Sequence, residues 1–173
     1  MTDAEYKFIR KEEGGFVDDP KDSGGATNRG VTQKTYDEFR RAKGHPTRPV
    51  RLCTLAETRE IYQQFYDACS ANALPSGLAI MHFDFAINSG PNRANRTLQQ
   101  VLNVKDDGKI GPVTLRAVES SDLTQLIMDY AETRKAFYRG LAERRPKDMK
   151  FLNGWLLRTD RALRLALSQL KLV

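Results

Sequence analysis

Two glutamates, Glu12 and Glu13, stand directly before Gly14-Gly15, and an acidic, glycine-rich stretch with Asp18, Asp19 and Asp22 follows them. A Gly-Gly pair ends a helix, which places both glutamates at the negative end of the helix dipole, where lysine or arginine is the usual choice. An ionised carboxylate there is disfavoured by a few tenths to ~1 kcal/mol, and partial burial disfavours it further. A carboxyl group that keeps its proton is what general-acid catalysis near neutral pH requires. Glu13 lies four residues beyond Ile9 and Glu12 four beyond Phe8, so periodicity leaves both open as the inward-facing group. A second carboxylate, held ionised in a wetter loop, would complete a pair. Asp22 follows Glu13 by nine residues and is placed for this, with Asp18 and Asp19 as competitors. Glycosidic cleavage uses such a pair: a protonated acid at the leaving oxygen and a carboxylate that positions water or attacks the sugar. Gly24 and Gly25 would let backbone approach a sugar ring, and the Thr27 hydroxyl can hold a water. Solvated turns and exposed helix ends share this composition, so spacing alone does not decide.

The elements that must position these groups are mostly helical. Thr2-Asp3-Ala4-Glu5 is a capping box that starts a first helix, ended by Gly14-Gly15. Residues 15–31 carry five Gly or Pro outside any helical period and read as turns and very short strands. Thr32 caps a second helix with Tyr36 and Phe39, closing at Gly44. Thr54-Leu55-Ala56-Glu57 is another capping box, opening a helix with Ile61, Phe65 and Ala68 on one face; Pro75-Ser76-Gly77 interrupts. Residues 78–88 are apolar nearly all round and predict the buried centre of the fold, ended by Ser89-Gly90-Pro91. Further helices are predicted at 92–103, 112–119, 122–143 and 149–170, with a tight turn at Asp107-Gly108. The class is mainly α (α+β), one domain over 1–173, with an N-terminal part over 1–75 and a helical C-terminal part over 76–173.

The composition is that of an ordinary globular protein, with a net charge of +6. No apolar run approaches the ~20 residues of a membrane span. Residues 144–173 hold eight Lys/Arg against Asp148 and Asp160, a balance that suits a polyanionic partner. Cys53 and Cys69 flank a predicted helix about 24 Å long, too far apart for a disulfide. With two scattered histidines, His45 and His82, they suggest no metal site, and no cofactor is expected.

Glu13-Gly14-Gly15-Phe16, Pro20, Asp22, Gly24-Gly25, Thr27 and Gly30-Val31-Thr32 together resemble the signature of glycoside hydrolase family 108, the N-acetylmuramidases. Downstream, Phe83-Asp84-Phe85-Ala86-Ile87-Asn88-Ser89-Gly90-Pro91, Leu98-Gln99, Asp107 through Thr114 and Phe151 through Arg158 resemble the family's C-terminal part, often labelled a predicted peptidoglycan-binding segment. The resemblance covers nearly the whole chain. It implies a lysozyme-like fold, a small N-terminal lobe with a short sheet and a larger helical lobe, with the cleft between them. It implies that Glu13 is the catalytic glutamate, leaving Glu12 solvent-facing, and that Asp22 and Thr27 hold the attacking water. Phe16, Gly25, Asn28, Asn88 and Ser89 are the candidate substrate-binding residues.

The expected function is hydrolysis of the β-1,4 bond between N-acetylmuramic acid and N-acetylglucosamine in peptidoglycan glycan strands, by a monomeric phage or prophage endolysin. The N-terminus shows no secretory signal, so the expected route is synthesis in the host cytoplasm and release to the wall through a separate pore. A non-catalytic wall-binding protein on the same fold and a chitinase-like glycosidase are the alternatives. A nucleic-acid partner is not expected, because no recognition-helix pattern is present. Asp84, inside an apolar helix, is expected to be paired by an ion pair or a hydrogen bond rather than to be catalytic, and Trp155 to be core rather than a sugar platform. The last helix, with Leu152, Leu156, Leu163, Leu167 and Leu170 on one side and Arg158, Arg161, Arg164 and Lys171 polar, is expected to pack, an anionic membrane being the other reading.

Overall fold

The architecture was obtained as a computed structural model, which describes residues 1–18 and 25–170. Among these residues, besides three short 3-10 turns and the connecting loops, are eight α-helices and three two-residue strands: α1 (Asp3–Glu12), β1 (Phe16–Val17), β2 (Thr27–Asn28), β3 (Val31–Thr32), α2 (Gln33–Ala42), α3 (Leu55–Ala68), α4 (Ser76–Ser89), α5 (Pro91–Val101), α6 (Pro112–Glu119), α7 (Leu123–Arg144) and α8 (Met149–Leu170). The chain forms two compact units, Met1–Gln64 and Phe65–Val173, and the boundary between them in the sequence falls inside the residue range of α3.

In unit 1 the capping chemistry sets the boundaries. Thr2 and Glu5 close a reciprocal box at the start of α1, and Thr54 and Glu57 do the same for α3, with Thr54 N donating to Glu57 Oε2 at 2.8 Å. At its C-terminus α1 is capped by Glu13, whose N–H donates to Ile9 O, and Gly14 at φ +62° turns the chain away. The strands form an antiparallel sheet in the order β1-β2-β3, pairing Phe16 with Asn28 and Thr27 with Thr32. The two residues joining β2 to β3, Arg29 and Gly30, both have positive φ (51° and 75°), as a type I′ hairpin demands. Glu57 is the ionic hub of the unit: it takes hydrogen bonds from the Tyr36 hydroxyl and from Arg40 and Arg48.

Unit 2 is a helical bundle around α4. Every residue from Gly77 to Ala86 is buried, as the all-round apolar pattern predicts. Helix α8 packs on α4 and α7, and α5 on α4 and α7. Asp84 is buried and forms a triad, with Arg134 Nη2 at 2.7 Å from Oδ2 and Arg158 Nη2 at 2.7 Å from Oδ1. The expected pairing is therefore present, as two ion pairs, with Arg158 Nε also donating to Asp84 Oδ1 at 2.9 Å.

Two expectations need correction. Arg158 does not stay on the polar side of α8; it is buried against Asp84, and the buried seam of that helix is Arg158, Thr159, Ala162 and Ala166, with the leucines half-buried beside it. The reason is close helix approach. A Cβ on Gly77 would lie 2.6 Å from the Ala166 carbonyl oxygen, so only small residues fit along that line. Ala68 is exposed rather than on the buried face of α3, which is formed by Ile61, Tyr62 and Tyr66.

Candidate active site

Glu13 sits at the end of α1, and its carboxyl group reaches the turn between β2 and β3. An added Cβ at Gly30 would lie 2.6 Å from Glu13 Cδ and 2.7 Å from Cγ, and Glu13 Oε2 is nearer still. The residue is half-buried and its Oε1 is shielded from solvent. The turn beneath it is pinned at both ends: Arg29 Nη1 donates to the Cys53 carbonyl at 2.8 Å, and the Tyr62 hydroxyl donates to the Arg29 carbonyl. Helix α1 thus supplies the carboxyl group, and a hairpin tied to α3 supplies the surface it lies on. Glu12 is half-buried as well, rather than facing solvent.

The other site residues predicted in unit 1 flank this hairpin. Phe16 and Val17 are 48% and 55% exposed on the outer strand. Phe16 lines a hollow of about 300 Å³ together with Asp18, Ala26, Gln33, Val50 and Arg51. Thr27 is half-buried on the central strand, its hydroxyl donating to the Gly25 carbonyl at 3.3 Å. Gly25 is exposed, with φ +67°. Asn28 is buried, and its amide donates to the carbonyls of Val50 (3.1 Å) and Arg51 (3.3 Å), which ties the sheet to the following turn. Asp22 and Gly24 lie outside the described residues. A more basic concavity, about 460 Å³, runs along α1 past Tyr6, Lys7, Arg10 and Lys11 to Arg59, and Glu13 does not line it.

Asn88 and Ser89 are half-buried at the C-terminal end of α4 in unit 2. Asn88 Oδ1 accepts from the Tyr138 hydroxyl at 2.5 Å, and that hydroxyl in turn accepts from Arg134 Nε at 3.3 Å. Trp155 is half-buried and stacks on Tyr138, with ring centroids 5.2 Å apart. Residue spacing does not predict the contacts that Gly30 and Tyr138 make with the candidate site residues. A glycine inside a tight turn that demands positive φ is a signal for the first; nothing in the spacing marks the second.

A carboxyl group at a helix end laid over a short β-hairpin, followed by a helical bundle with an apolar central helix, is a mainly α, lysozyme-like fold. The family comparison agrees: the chain belongs to the glycosyl hydrolase 108 family, whose model matches residues 6–90, and residues 93–160 match a second model described as a predicted peptidoglycan domain. A solved structure described as that of Brucella abortus SagA is similar at 34% identity and a TM-score of 0.85, over 95% of this chain and 92% of that one. A search of the curated proteins finds none that matches. The protein is a glycoside hydrolase acting on peptidoglycan.

Proposed function

We propose that the enzyme is an N-acetylmuramidase, cleaving the β-1,4 bond that joins N-acetylmuramic acid to N-acetylglucosamine, and that it serves a phage or prophage as an endolysin. Glu13 donates its proton to the glycosidic oxygen as the bond from the anomeric carbon breaks. A water held by Asp22 and Thr27 attacks that carbon from the opposite face and gives a proton to the Asp22 carboxylate, so the anomeric configuration inverts. The observation that carries this reading is the placement of Glu13, at a helix terminus with one carboxyl oxygen shielded and the other against the Gly30 backbone. The assignment of Asp22 rests on its spacing from Glu13 and on the family pattern. Phe16 and Gly25 are solvent-exposed next to the hairpin, where a glycan can reach them. The wall strand is reached after pore-mediated release, and the enzyme acts as a monomer.

Purified peptidoglycan digested with the enzyme and analysed by mass spectrometry tests the bond assignment. Fragments ending in reducing N-acetylmuramic acid are expected; reducing N-acetylglucosamine would make the enzyme a glucosaminidase, and freed peptides an amidase. Glu13→Gln keeps the shape of the side chain and removes the proton donor. Its turnover is expected to fall at least a hundredfold, with wall binding retained in a sedimentation assay. Retained lysis by that variant would reject Glu13 as the acid.

A further inference from the structure

The N-terminal half of α8 presents an aromatic surface that the chemistry at Glu13 does not use. Phe151, Gly154 and Trp155 share one helix face by their i, i+3, i+4 spacing. Phe151 is 39% exposed, Gly154 is exposed with nothing within 4 Å of an added Cβ, and Trp155 is half-buried. The Phe151 and Trp155 rings lie 5.9 Å apart at 36°, and Tyr138 backs the indole in a stacked arrangement. The indole therefore rests on a rigid base: Tyr138 is fixed by Arg134, which is itself locked to Asp84.

Two donors belong to this surface, the Asn88 amide and the Trp155 indole N–H. The Tyr138 hydroxyl accepts from Arg134 Nε, so its own hydrogen goes to Asn88 Oδ1, and this orients the Asn88 amide. Among the described residues, neither the Asn88 Nδ2 group nor the Trp155 indole N–H donates to a protein acceptor, and neither is buried without one. A ring beside a bare glycine, with the indole donor on it and an amide donor linked to it through Tyr138, matches the apolar face of a pyranose and the carbonyl of its N-acetyl group.

We infer that Trp155, Phe151 and Asn88 form a carbohydrate-stacking subsite in unit 2 that takes one N-acetylated sugar of a β-1,4-linked glycan strand. The occupant is chosen by two features: the available donors fit an amide carbonyl, and the residues matching the peptidoglycan domain, 93–160, include Tyr138, Phe151 and Trp155. The glycan, as substrate class, rests on the function proposed above. Lys150 is exposed, and its Nζ lies 4.8 Å over the Phe151 ring, a cation–π contact that a stacking sugar would replace.

Trp155 is the only tryptophan in the chain, so its fluorescence reports this subsite alone. The experiment titrates the β-1,4-linked tetramer of N-acetylglucosamine, and peptide-free glycan strands, into the Glu13→Gln protein, which removes cleavage from the measurement. A saturable shift of emission to shorter wavelength is expected as sugar displaces water from the indole. Phe151→Ala, at an exposed position, and Asn88→Ala are each expected to weaken binding about three- to tenfold, with far-UV circular dichroism unchanged. Glycan binding measured by calorimetry with silent tryptophan emission, or a Phe151→Ala affinity equal to that of its parent, would overturn the subsite, as would no binding of either glycan. If the emission shift appears while digests release no glycan fragments, the subsite stands and the muramidase reading falls.

Discussion

At Gly30 two separate requirements meet: a backbone φ of +75°, and a face left bare because the Glu13 carboxyl group lies against it. A glycine elsewhere separates these effects. Gly44 has φ +71° but nothing within 4 Å of an added Cβ. Gly44→Ala is therefore expected to lose about 1 kcal/mol of stability through backbone strain and to keep its turnover. Gly30→Ala carries the same strain and also displaces the side chain proposed as the acid. Its kcat is expected to fall at least tenfold, because a misplacement near 1 Å can cost two orders of magnitude in a positioned reaction. KM should change little, since Gly30 positions Glu13 rather than holding glycan. Equal kcat in the two variants would show that the close approach has no functional role. The sequence places Glu13 at this spot through Gly14-Gly15, yet the partner of its carboxyl group is a long-range fact: Glu13 and Gly30 meet only because Arg29 and Tyr62 hold the hairpin down.

Elements whose ends carry explicit caps are legible in the sequence, and those decided by packing are not. Thr2-Glu5, Thr32 and Thr54-Glu57 fix the starts of α1, α2 and α3, and Gly90-Pro91 separates α4 from α5. Helix α4 is recognisable as central because it has no polar face. For helix α8 the hydrophobic pattern predicts packing, as observed, but along the wrong seam. Leucine dominates any hydrophobic pattern, whereas the contact line with α4 is set by how closely backbones approach at Gly77, and it selects alanine and a buried arginine. The Asp84 triad can be tested at this level. Burial alone would raise the Asp84 carboxyl, but the charges of Arg158 and Arg134 outweigh it and hold the group below the usual carboxylate range. Asp84→Asn removes the shared counter-charge of two buried cations and is expected to cost about 3–5 kcal/mol in urea unfolding at pH 7. Arg158→Met is expected to cost less, because Arg134 still neutralises Asp84 and a long apolar side chain fills the space. The reverse order would mean that Arg134 and Asp84 do not form a self-sufficient pair.

Across the molecule, each unit carries its own acid sensitivity, and the two differ in pH range. In unit 2, burial pushes His82 down to about 4 from its usual 6.5. Its Nε2 faces two oxygen acceptors, the Cys69 carbonyl and Asn95 Oδ1, so the neutral ring carries its hydrogen there. The unfolded chain binds this proton first as pH falls, so unit 2 loses stability between about 6.5 and 4, by at most ~1.4 kcal/mol per pH unit. In unit 1, burial would raise Glu57, but hydrogen bonds from Thr54 and Tyr36 and the charge of Arg48 prevail and hold it at about 2, against 4.5. Stability from that carboxylate is complete above 4.5 and is lost as pH falls from there toward 2. Unit 2 is therefore expected to weaken first on acidification. Trp155 emission follows unit 2, and hydrogen exchange of α2 amides follows unit 1. In His82→Gln the tryptophan-detected Tm should start lower, through lost packing, yet stay level between pH 6.5 and 4.5, where the parent's declines. Protection of α2 should remain unchanged by that substitution over the same range and fall only below about pH 4.5. A parental decline preserved in His82→Gln would assign the upper acid limb to another group.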